Sequence, residues 1–315
     1  MRWPDLPALG YGAANVGNLY RELSDEQSLA VLEAAWNSGV RYFDTAPHYG
    51  LGLSERRLGA FLATKPRDEY TVSTKVGRLL VPVANPGGAL DDANDFAVPA
   101  DYERQWDFTS GGIRRSLDES LHRLGLDRVD VLYLHDPEKH DLDAADREAY
   151  PAMIALRDEG LVDAVGVGSM SIEALVRASS EPGLDVLMVA GRLTLAEQPA
   201  LDRVVPQAID NGIGVVAAGV FNSGLLATNK PGGRYEYGAV PDELLSRAKL
   251  IAAVCATHGV DLPTAALQYT LRLPTVASVV VGGSRPEQLS ENARRMTETV
   301  PEQLWADLAD AGLIP

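Results

Sequence analysis

The stretch RYFDTAPHYG, residues 41–50, joins a short apolar run to a polar end, with Asp44 closing the run and Tyr49 just beyond it. Similar short runs recur along the chain, rich in valine, leucine and tyrosine and with little polar alternation. They lie near Gly10, Ser73, Leu132, Val165, Leu187, Val216 and Val280. Runs of this kind are typical of parallel strands that are buried on both faces. Together with the run at residues 41–46 they predict eight strands.

The segments between these runs carry the signals of helices. Ser24 and Gln27 have the spacing of a capping box, and Gly39 and Gly125 stand where helices are expected to end. Eight strand–helix units predict the α/β class and a (β/α)8 TIM barrel, with residues 1–315 as a single domain. The alternative is an open doubly wound sheet, but the GxGxxG turn that usually follows its first strand is absent.

Composition narrows the class of partner and the compartment. The chain has 28 basic and 44 acidic residues, a net charge of −16, and no basic tract, which argues against nucleic acid or an anionic membrane as partner. The single cysteine, Cys255, excludes an internal disulfide framework and fits a reducing compartment. The N-terminal segment lacks the apolar core of a signal peptide, so we expect a cytoplasmic protein.

Polar side chains end three of the predicted strands. Asp44, Lys75 and His135 lie at strand ends, and Tyr49 follows Asp44 in the next loop. Each alone has a simple explanation as a turn former or a solvated end, but in a barrel all four would share one rim. A lysine ammonium lowers the pKa of a nearby tyrosine, an aspartate holds the lysine, and a histidine can orient a substrate oxygen. The set predicts proton transfer at a carbonyl or hydroxyl group while a hydride moves at carbon.

These four residues, in the segments DTAPHYGLGLSERRLG, STKVGR and YLHDP, resemble the catalytic tetrad of the aldo-keto reductase superfamily. The resemblance runs from about Leu9 to about Asn292 and implies an eight-stranded barrel, an NAD or NADP cofactor and no metal. Two further stretches, MVAGRLTLAEQ and AAGVFNSGLL, resemble the branch of D-threo-aldose 1-dehydrogenases, which includes L-fucose and L-galactose dehydrogenases, and a related pyridoxal 4-dehydrogenase.

A second group of residues predicts the cofactor site. In VVVGGSRPEQLSEN, residues 279–292, two glycines precede a helix that begins at Pro286, and backbone N–H groups at such a helix start suit a phosphate. With the resemblance, the expected cofactor contacts are Ser169, Phe221, Ser223, Leu225, Gly283, Arg285, Gln288 and Asn292. The resemblance puts Gln288 where NADP-preferring relatives have an arginine, which favours NAD; Arg285 leaves NADP open.

The remaining polar stretches are harder to assign from sequence. Residues 77–108 form a long excursion that we expect to be a lid or pocket wall, with Tyr102 and Trp106 either stacking on a sugar or pyridine ring or pinning the loop to the barrel. The acidic run HDPEKHDLDAADRE, residues 135–148, lacks metal-ligand spacing and predicts a solvated loop.

The resulting hypothesis is an NAD(P)-dependent oxidoreductase that oxidises the anomeric hydroxyl of a free aldose such as L-fucose or L-galactose to a lactone. Alternatives with the same residues are an NADPH-dependent aldehyde or ketone reductase and a pyridoxal 4-dehydrogenase. From other classes, a cofactor-sensing subunit and a metal-dependent barrel hydrolase remain open. We expect a small-molecule substrate and no obligate protein partner.

Overall fold

The computed structural model describes residues 5–235 and 238–315, and within these ranges eight parallel strands close into a barrel. The strands are β1 (Leu9–Gly12), β2 (Tyr42–Asp44), β3 (Thr71–Val76), β4 (Arg78–Pro82), β5 (Leu90–Asp91), β6 (Phe96–Pro99), β7 (Tyr102–Trp106), β8 (Val129–His135), β9 (Val162–Ser169), β10 (Val186–Ala190), β11 (Gly214–Ala218), β12 (Arg234–Tyr235), β13 (Gly238–Ala239) and β14 (Val276–Val281). The barrel order is β1–β14–β11–β10–β9–β8–β3–β2, closed by the pairing of β2 with β1. The predicted (β/α)8 barrel is confirmed.

Helices connect the barrel strands and cover the outside of the sheet. They are α1 (Asp25–Asn37), α2 (Leu53–Leu62), α3 (Ser110–Leu124), α4 (Leu142–Ala144), α5 (Tyr150–Asp158), α6 (Ile172–Ser179), α7 (Val204–Asn211), α8 (Asp242–Thr257), α9 (Leu262–Tyr269), α10 (Pro286–Met296) and α11 (Glu302–Asp310). Helix α1 begins with the predicted capping box, in which Ser24 and Gln27 satisfy each other's backbone N–H groups. Gly125 ends α3 in the left-handed conformation, as expected.

Two apolar layers explain why the strand sequences lack polar alternation. Inside the barrel, side chains such as Tyr42, Tyr133 and Met188 form one cluster, and the Tyr42 and Tyr133 hydroxyls are 3.3 Å apart. Outside it, residues such as Phe43 and Leu132 pack against the helices in a larger cluster. Alternate residues of each strand face these two layers, so both faces are buried.

Beyond the barrel, residues 77–108, expected from the sequence to be a long excursion, contain two pairs of strands. Strands β4 and β7 pair as an antiparallel ribbon, and β5 pairs with β6. Phe96 forms a bridge with Leu19, and backbone N–H groups of Tyr20 and Ala97 bond to Asp95 and Asn18 across the same junction. The insertion is therefore a folded unit fastened to the loop after β1, and none of residues 77–108 lines the cleft described below.

No single helix in the described ranges is long and apolar enough to cross a membrane. The bent pair Asp242–Thr257 and Leu262–Arg272 meets the length and composition requirement only when its two helices are taken together.

Close backbone contact fixes the loop that carries Tyr49. Gly50 has φ +60°, and a Cβ on it would lie 2.1 Å from the Gly17 carbonyl oxygen. A Cβ on Gly17 would in turn come within 2.9 Å of the Tyr49 backbone. The loops after β1 and β2 can approach this closely because both contact positions are glycines. This approach fixes the position of Tyr49 relative to the barrel.

We expect Gly50→Ala to destabilise the protein more than Gly125→Ala does. Both glycines are left-handed, which costs an alanine about 1–2 kcal/mol, but a Cβ at Gly125 meets nothing within 4 Å. The additional loss of stability in Gly50→Ala measures the clash of the new Cβ with the Gly17 carbonyl oxygen. Thermal unfolding midpoints of the two variants check this. Equal midpoints would show that the close approach does not constrain this loop.

Candidate active site

A cleft of about 920 Å³ opens at the carboxyl ends of the barrel strands. It brings together all four residues of the predicted tetrad, namely Asp44, Tyr49, Lys75 and His135. Three neighbouring strands deliver them: β2 ends at Asp44, β3 carries Lys75, and β8 ends at His135. Tyr49 comes from the loop that follows β2.

The Lys75 ammonium is the centre of the site. Its Nζ lies 2.6 Å from Asp44 Oδ2 and 3.1 Å from the Tyr49 hydroxyl, and it donates to the Thr45 carbonyl at 2.9 Å. The Lys75 and Asp44 side chains are only 2% and 3% exposed, so water does not screen the ion pair. All three donor positions of the ammonium are occupied, which holds Nζ in one place beside the phenol.

The Asp44 carboxylate is itself held from below. The Ser73 hydroxyl donates to Asp44 Oδ1 at 2.7 Å, and the Tyr42 hydroxyl lies 3.0 Å from Ser73 Oγ inside the barrel. Both carboxylate oxygens therefore have a fixed partner, which prevents the side chain from turning away from Lys75. Ser73 and Tyr42 were not predicted as site residues, because their role depends on which strands become neighbours.

Burial and charge set the protonation of the tetrad. Burial raises the pKa of the Tyr49 phenol, and Lys75 lowers it without cancelling that effect. Burial lowers the pKa of Lys75, but Asp44 and Tyr49 outweigh it and leave this pKa above the ordinary value. Near neutral pH, Tyr49 is therefore a protonated phenol and Lys75 an ammonium. The expected lowering by Lys75 is real, but burial is the larger effect.

His135 is a neutral imidazole at the edge of the phenol. Burial lowers its pKa well below the usual value, and the Arg78 and Lys75 cations lower it further. Its ring lies edge-on to Tyr49, with centroids 5.9 Å apart. A neutral imidazole in this position can share a hydrogen bond with the oxygen that Tyr49 would also contact.

The expected cofactor residues mostly lie along the other part of the same cleft. Ser169 ends β9, Phe221 and Ser223 follow β11, and the remaining four lie in or just before α10. These four are Gly283, Arg285, Gln288 and Asn292. Leu225 is fully buried among apolar residues next to helix α8 and does not line the cleft. Asn15, Glu291 and Arg295 also line it, and the sequence analysis did not single them out.

The start of α10 differs in detail from the expected phosphate cradle. The Gln288 side-chain oxygen accepts hydrogen bonds from the backbone N–H groups of Ser284 and Arg285, at 2.9 and 3.1 Å. Those two donors are thus already used by the protein. Arg285 is exposed beside them and supplies a positive charge at the helix N-terminus, where the helix dipole also favours an anion.

The cleft meets the physical requirements of a dinucleotide site. It extends from Lys75 to Arg285, so an extended molecule can reach both. A Cβ on Gly282 would lie 2.8 Å from Asn15 Oδ1, so a side chain there would narrow the passage between the β1 and β14 loops. Cation, amide and hydroxyl donors surround the α10 end, which suits phosphate and ribose groups. In residues 5–235 and 238–315, no group of three or more His, Cys, Asp or Glu side chains is arranged to hold a metal ion.

Neither residue proposed to stack on substrate lines the cleft. Tyr102 lies opposite Pro82 at the end of the ribbon and is 40% exposed. Trp106 stacks on His140, with ring centroids 5.4 Å apart, and lies against the Arg78 guanidinium. The arrangement of Trp106 matches the other expectation, that it pins the insertion to the barrel.

The acidic run after His135 is only partly solvated. Asp136 lines the cleft, is 13% exposed, and pairs with Arg78 at 2.6 Å. Glu138 accepts a hydrogen bond from the Ser169 hydroxyl at 2.8 Å. Asp136 and Glu138 could have been identified as site residues from their position, because they closely follow the end of a predicted barrel strand.

Comparisons with known proteins agree with this geometry. Residues 8–312 match the Aldo/keto reductase family. The chain is 62% identical to a D-threo-aldose 1-dehydrogenase of a Pseudomonas species over 98% of this chain and 95% of the relative. It is 35% identical to the pyridoxal 4-dehydrogenase of Microbacterium luteolum, over 98% and 94%.

A solved structure resembles the fold at lower sequence identity. An aldo-keto reductase from Bacillus halodurans superposes with a TM-score of 0.77 at 22% identity, covering 98% of this chain and 93% of the other. This likeness concerns the fold alone. The family match across residues 8–312 and the two relatives also show the family. The chain therefore belongs to the aldo/keto reductase family and is an oxidoreductase that uses a nicotinamide cofactor.

Proposed function

We propose that the protein oxidises the anomeric hydroxyl of a free aldose to a lactone, with Asp44, Tyr49, Lys75 and His135 as its catalytic residues. The observation that carries the proposal is the Tyr49 hydroxyl, held 3.1 Å from the Lys75 ammonium at the cleft beside His135. The 62% identical relative, named for aldose 1-oxidation, supports the choice of substrate class.

The residues act on the proton of the sugar hydroxyl. Tyr49 acts in the fraction of molecules in which its own proton has passed to solvent, and its phenolate then accepts the proton of the anomeric O–H group. The Lys75 ammonium stabilises the phenolate, and Asp44 keeps that ammonium charged and in position. The neutral His135 imidazole orients the same oxygen. A bound nicotinamide would supply the acceptor for the hydrogen and electron pair that leave the anomeric carbon.

The cofactor site is proposed to favour NAD. Ser169, Phe221 and Ser223 would contact the nicotinamide half, and Gly283, Arg285, Gln288 and Asn292 the phosphate and adenosine half. Leu225 would act by supporting, from behind, the loop after β11 that carries Phe221 and Ser223. Gln288 is uncharged, and the Glu291 carboxylate lines the same end of the cleft. A carboxylate accepts hydrogen bonds from a ribose hydroxyl and repels a 2′-phosphate.

A second candidate substrate is pyridoxal, favoured by the 35% identical relative of that name. Its cyclic hemiacetal presents a hydroxyl group like that of a sugar, so the same four residues would act. We propose a cytoplasmic location on the ground that the only cysteine, Cys255, is buried and reduced. The substrate is a small molecule, and no obligate protein partner is proposed.

Replacing Tyr49 by phenylalanine tests the assignment. With NAD+ and L-fucose, L-galactose, D-arabinose or pyridoxal, the wild type should raise the absorbance of the reduced nicotinamide. Tyr49→Phe should lower kcat by roughly 100-fold or more, the usual contribution of a positioned acid or base. The matched control is Tyr150→Phe, because the Tyr150 hydroxyl is buried without a partner in the described structure and lies outside the cleft.

The pH dependence of the same assay gives a second reading of Tyr49. Its pKa is raised, so between about pH 6 and about pH 9 the fraction of phenolate increases with pH. Sugar oxidation by the wild type should therefore accelerate as the pH rises, and aldehyde reduction should slow. The residual activity of Tyr49→Phe should not follow this trend. Full activity of Tyr49→Phe, or oxidation that slows with rising pH, would contradict the mechanism.

Neutralising Glu291 tests the cofactor preference. We expect Glu291→Gln to improve kcat/KM for NADP+ relative to NAD+ by roughly fivefold, the equivalent of about 1 kcal/mol for a partly exposed charge. Glu287→Gln is the control, because it makes the same change on α10 at an exposed position outside the cleft. If the ratio of kcat/KM for NADP+ to that for NAD+ is unchanged in Glu291→Gln, this carboxylate does not contribute to cofactor choice.

A further inference from the structure

Asp136 occupies an unusual position for an acidic residue next to a catalytic one. It follows His135 directly at the end of β8, with its backbone in the left-handed region at φ +46°. Aspartate is among the few non-glycine residue types that adopt this conformation readily. Here it turns the chain sharply before Pro137, and the Asp136 side chain comes to lie on the cleft wall.

In the described residues, every hydrogen bond and ion pair of this carboxylate uses the same oxygen. Arg78 Nη2 lies 2.6 Å and Lys139 Nζ 3.0 Å from Asp136 Oδ2, and His135 Nε2 is 3.8 Å from it. Within the described residues, Oδ1 accepts no hydrogen bond from the protein. A carboxylate has acceptor sites on both oxygens, so Oδ1 remains available to a molecule in the cleft.

The Arg78 contact is buried and packed on its other side, which defines the position of the Asp136 carboxylate. Arg78 is 5% exposed and lies between Asp136 and the Trp106 ring, with 4.4 Å from its guanidinium carbon to the ring centroid. Trp106 in turn stacks on His140. The ribbon of residues 77–108 thus fixes the Asp136 carboxylate, although Trp106 does not reach the cleft.

The spacing between Asp136 and His135 matches a sugar. In the proposed function, His135 binds the oxygen on the reacting carbon. Oxygens on adjacent carbons of a sugar are separated by roughly the length of a hydrogen bond, about 3 Å. His135 Nε2 lies 3.8 Å from Asp136 Oδ2, and Oδ1 belongs to the same carboxylate, so Oδ1 is close enough to bind the second oxygen while His135 binds the first.

We propose that Asp136 is a specificity-determining residue that accepts a hydrogen bond from the sugar hydroxyl on the carbon next to the anomeric carbon. The inference rests on the proposed function and adds a requirement to it, namely a hydroxyl at that carbon. Hydrogen bonds to a charged acceptor are the stronger kind, and a site built for a hydroxyl discriminates against a substrate that lacks it.

The competing explanation is that Asp136 only anchors the ribbon through Arg78. In that case its loss would disturb the site in the same way for every substrate. The two explanations differ in whether the effect of the variant depends on the hydroxyl of the substrate. A comparison across two sugars and two proteins separates them, as a double-mutant cycle does.

The experiment compares D-arabinose with 2-deoxy-D-ribose, which lacks only the hydroxyl in question, and L-galactose with 2-deoxy-L-galactose as a second pair. The wild type should favour the hydroxylated sugar in kcat/KM by roughly tenfold or more, the effect of one charged hydrogen bond. In Asp136→Asn, whose amide oxygen can still bind Arg78, activity on the hydroxylated sugar should fall and this preference should shrink severalfold.

Lys139→Gln is the matched control. It removes a cation from the same Asp136 oxygen, but Lys139 is 52% exposed and lies outside the cleft. The preference for the hydroxylated sugar should be unchanged in this variant. D-ribose, which differs from D-arabinose only in the configuration at that carbon, should be a poorer substrate of the wild type.

The outcomes distinguish the inference from the function on which it rests. Equal losses on both sugars in Asp136→Asn, or a wild type that uses 2-deoxy-D-ribose as well as D-arabinose, would overturn the role of Asp136 and leave sugar oxidation standing. If Asp136→Asn does not fold, the wild-type comparison of the deoxy and epimeric sugars still decides. A wild type that oxidises no sugar would overturn both.

Discussion

The buried ion pair between Lys75 and Asp44 is the constraint on which the rest of the site depends. Two charges in a water-excluded place are costly unless each is fully hydrogen-bonded. Here hydrogen bonds offset the free-energy cost of burial. The Ser73 hydroxyl donates to Asp44, and Lys75 donates to the Thr45 carbonyl and the Tyr49 hydroxyl. The same contacts that make the pair tolerable also fix the phenol. Stability of the pair and placement of the Tyr49 phenol are therefore one requirement.

The barrel topology explains why these groups can meet at all. Asp44, Lys75 and His135 come from β2, β3 and β8, which are adjacent in the barrel although β8 begins more than fifty residues after β3 ends. The insertion between β3 and β8 supplies Arg78 and Phe96, which reach back to Asp136 and to the neighbourhood of Tyr49. The insertion thus contacts two residues of the cleft from behind, in addition to separating two strands.

The sequence was enough to predict the barrel and the four residues at its rim, because short buried strands and polar strand ends are local signals. The free state of Cys255 and the capping box at Ser24 were also predictable from local sequence. The antiparallel ribbon was not predictable in this way, since the pairing of residue 78 with residue 106 depends on long-range closure. Asp136 was interpreted as solvated because its partner, Arg78, lies 58 positions away in the sequence. Gln288 was expected to contact the cofactor, but its hydrogen bonds to the loop before α10 could not be predicted without coordinates.

The most direct test of the central claim is to follow the hydrogen of the anomeric carbon. An aldose deuterated at that carbon is incubated with NAD+ and the protein, and both products are analysed by NMR spectroscopy and mass spectrometry. The account predicts deuterium at the C4 position of the reduced nicotinamide and a lactone as the sugar product. A reduced nicotinamide without deuterium, or a sugar oxidised at another carbon, would contradict it.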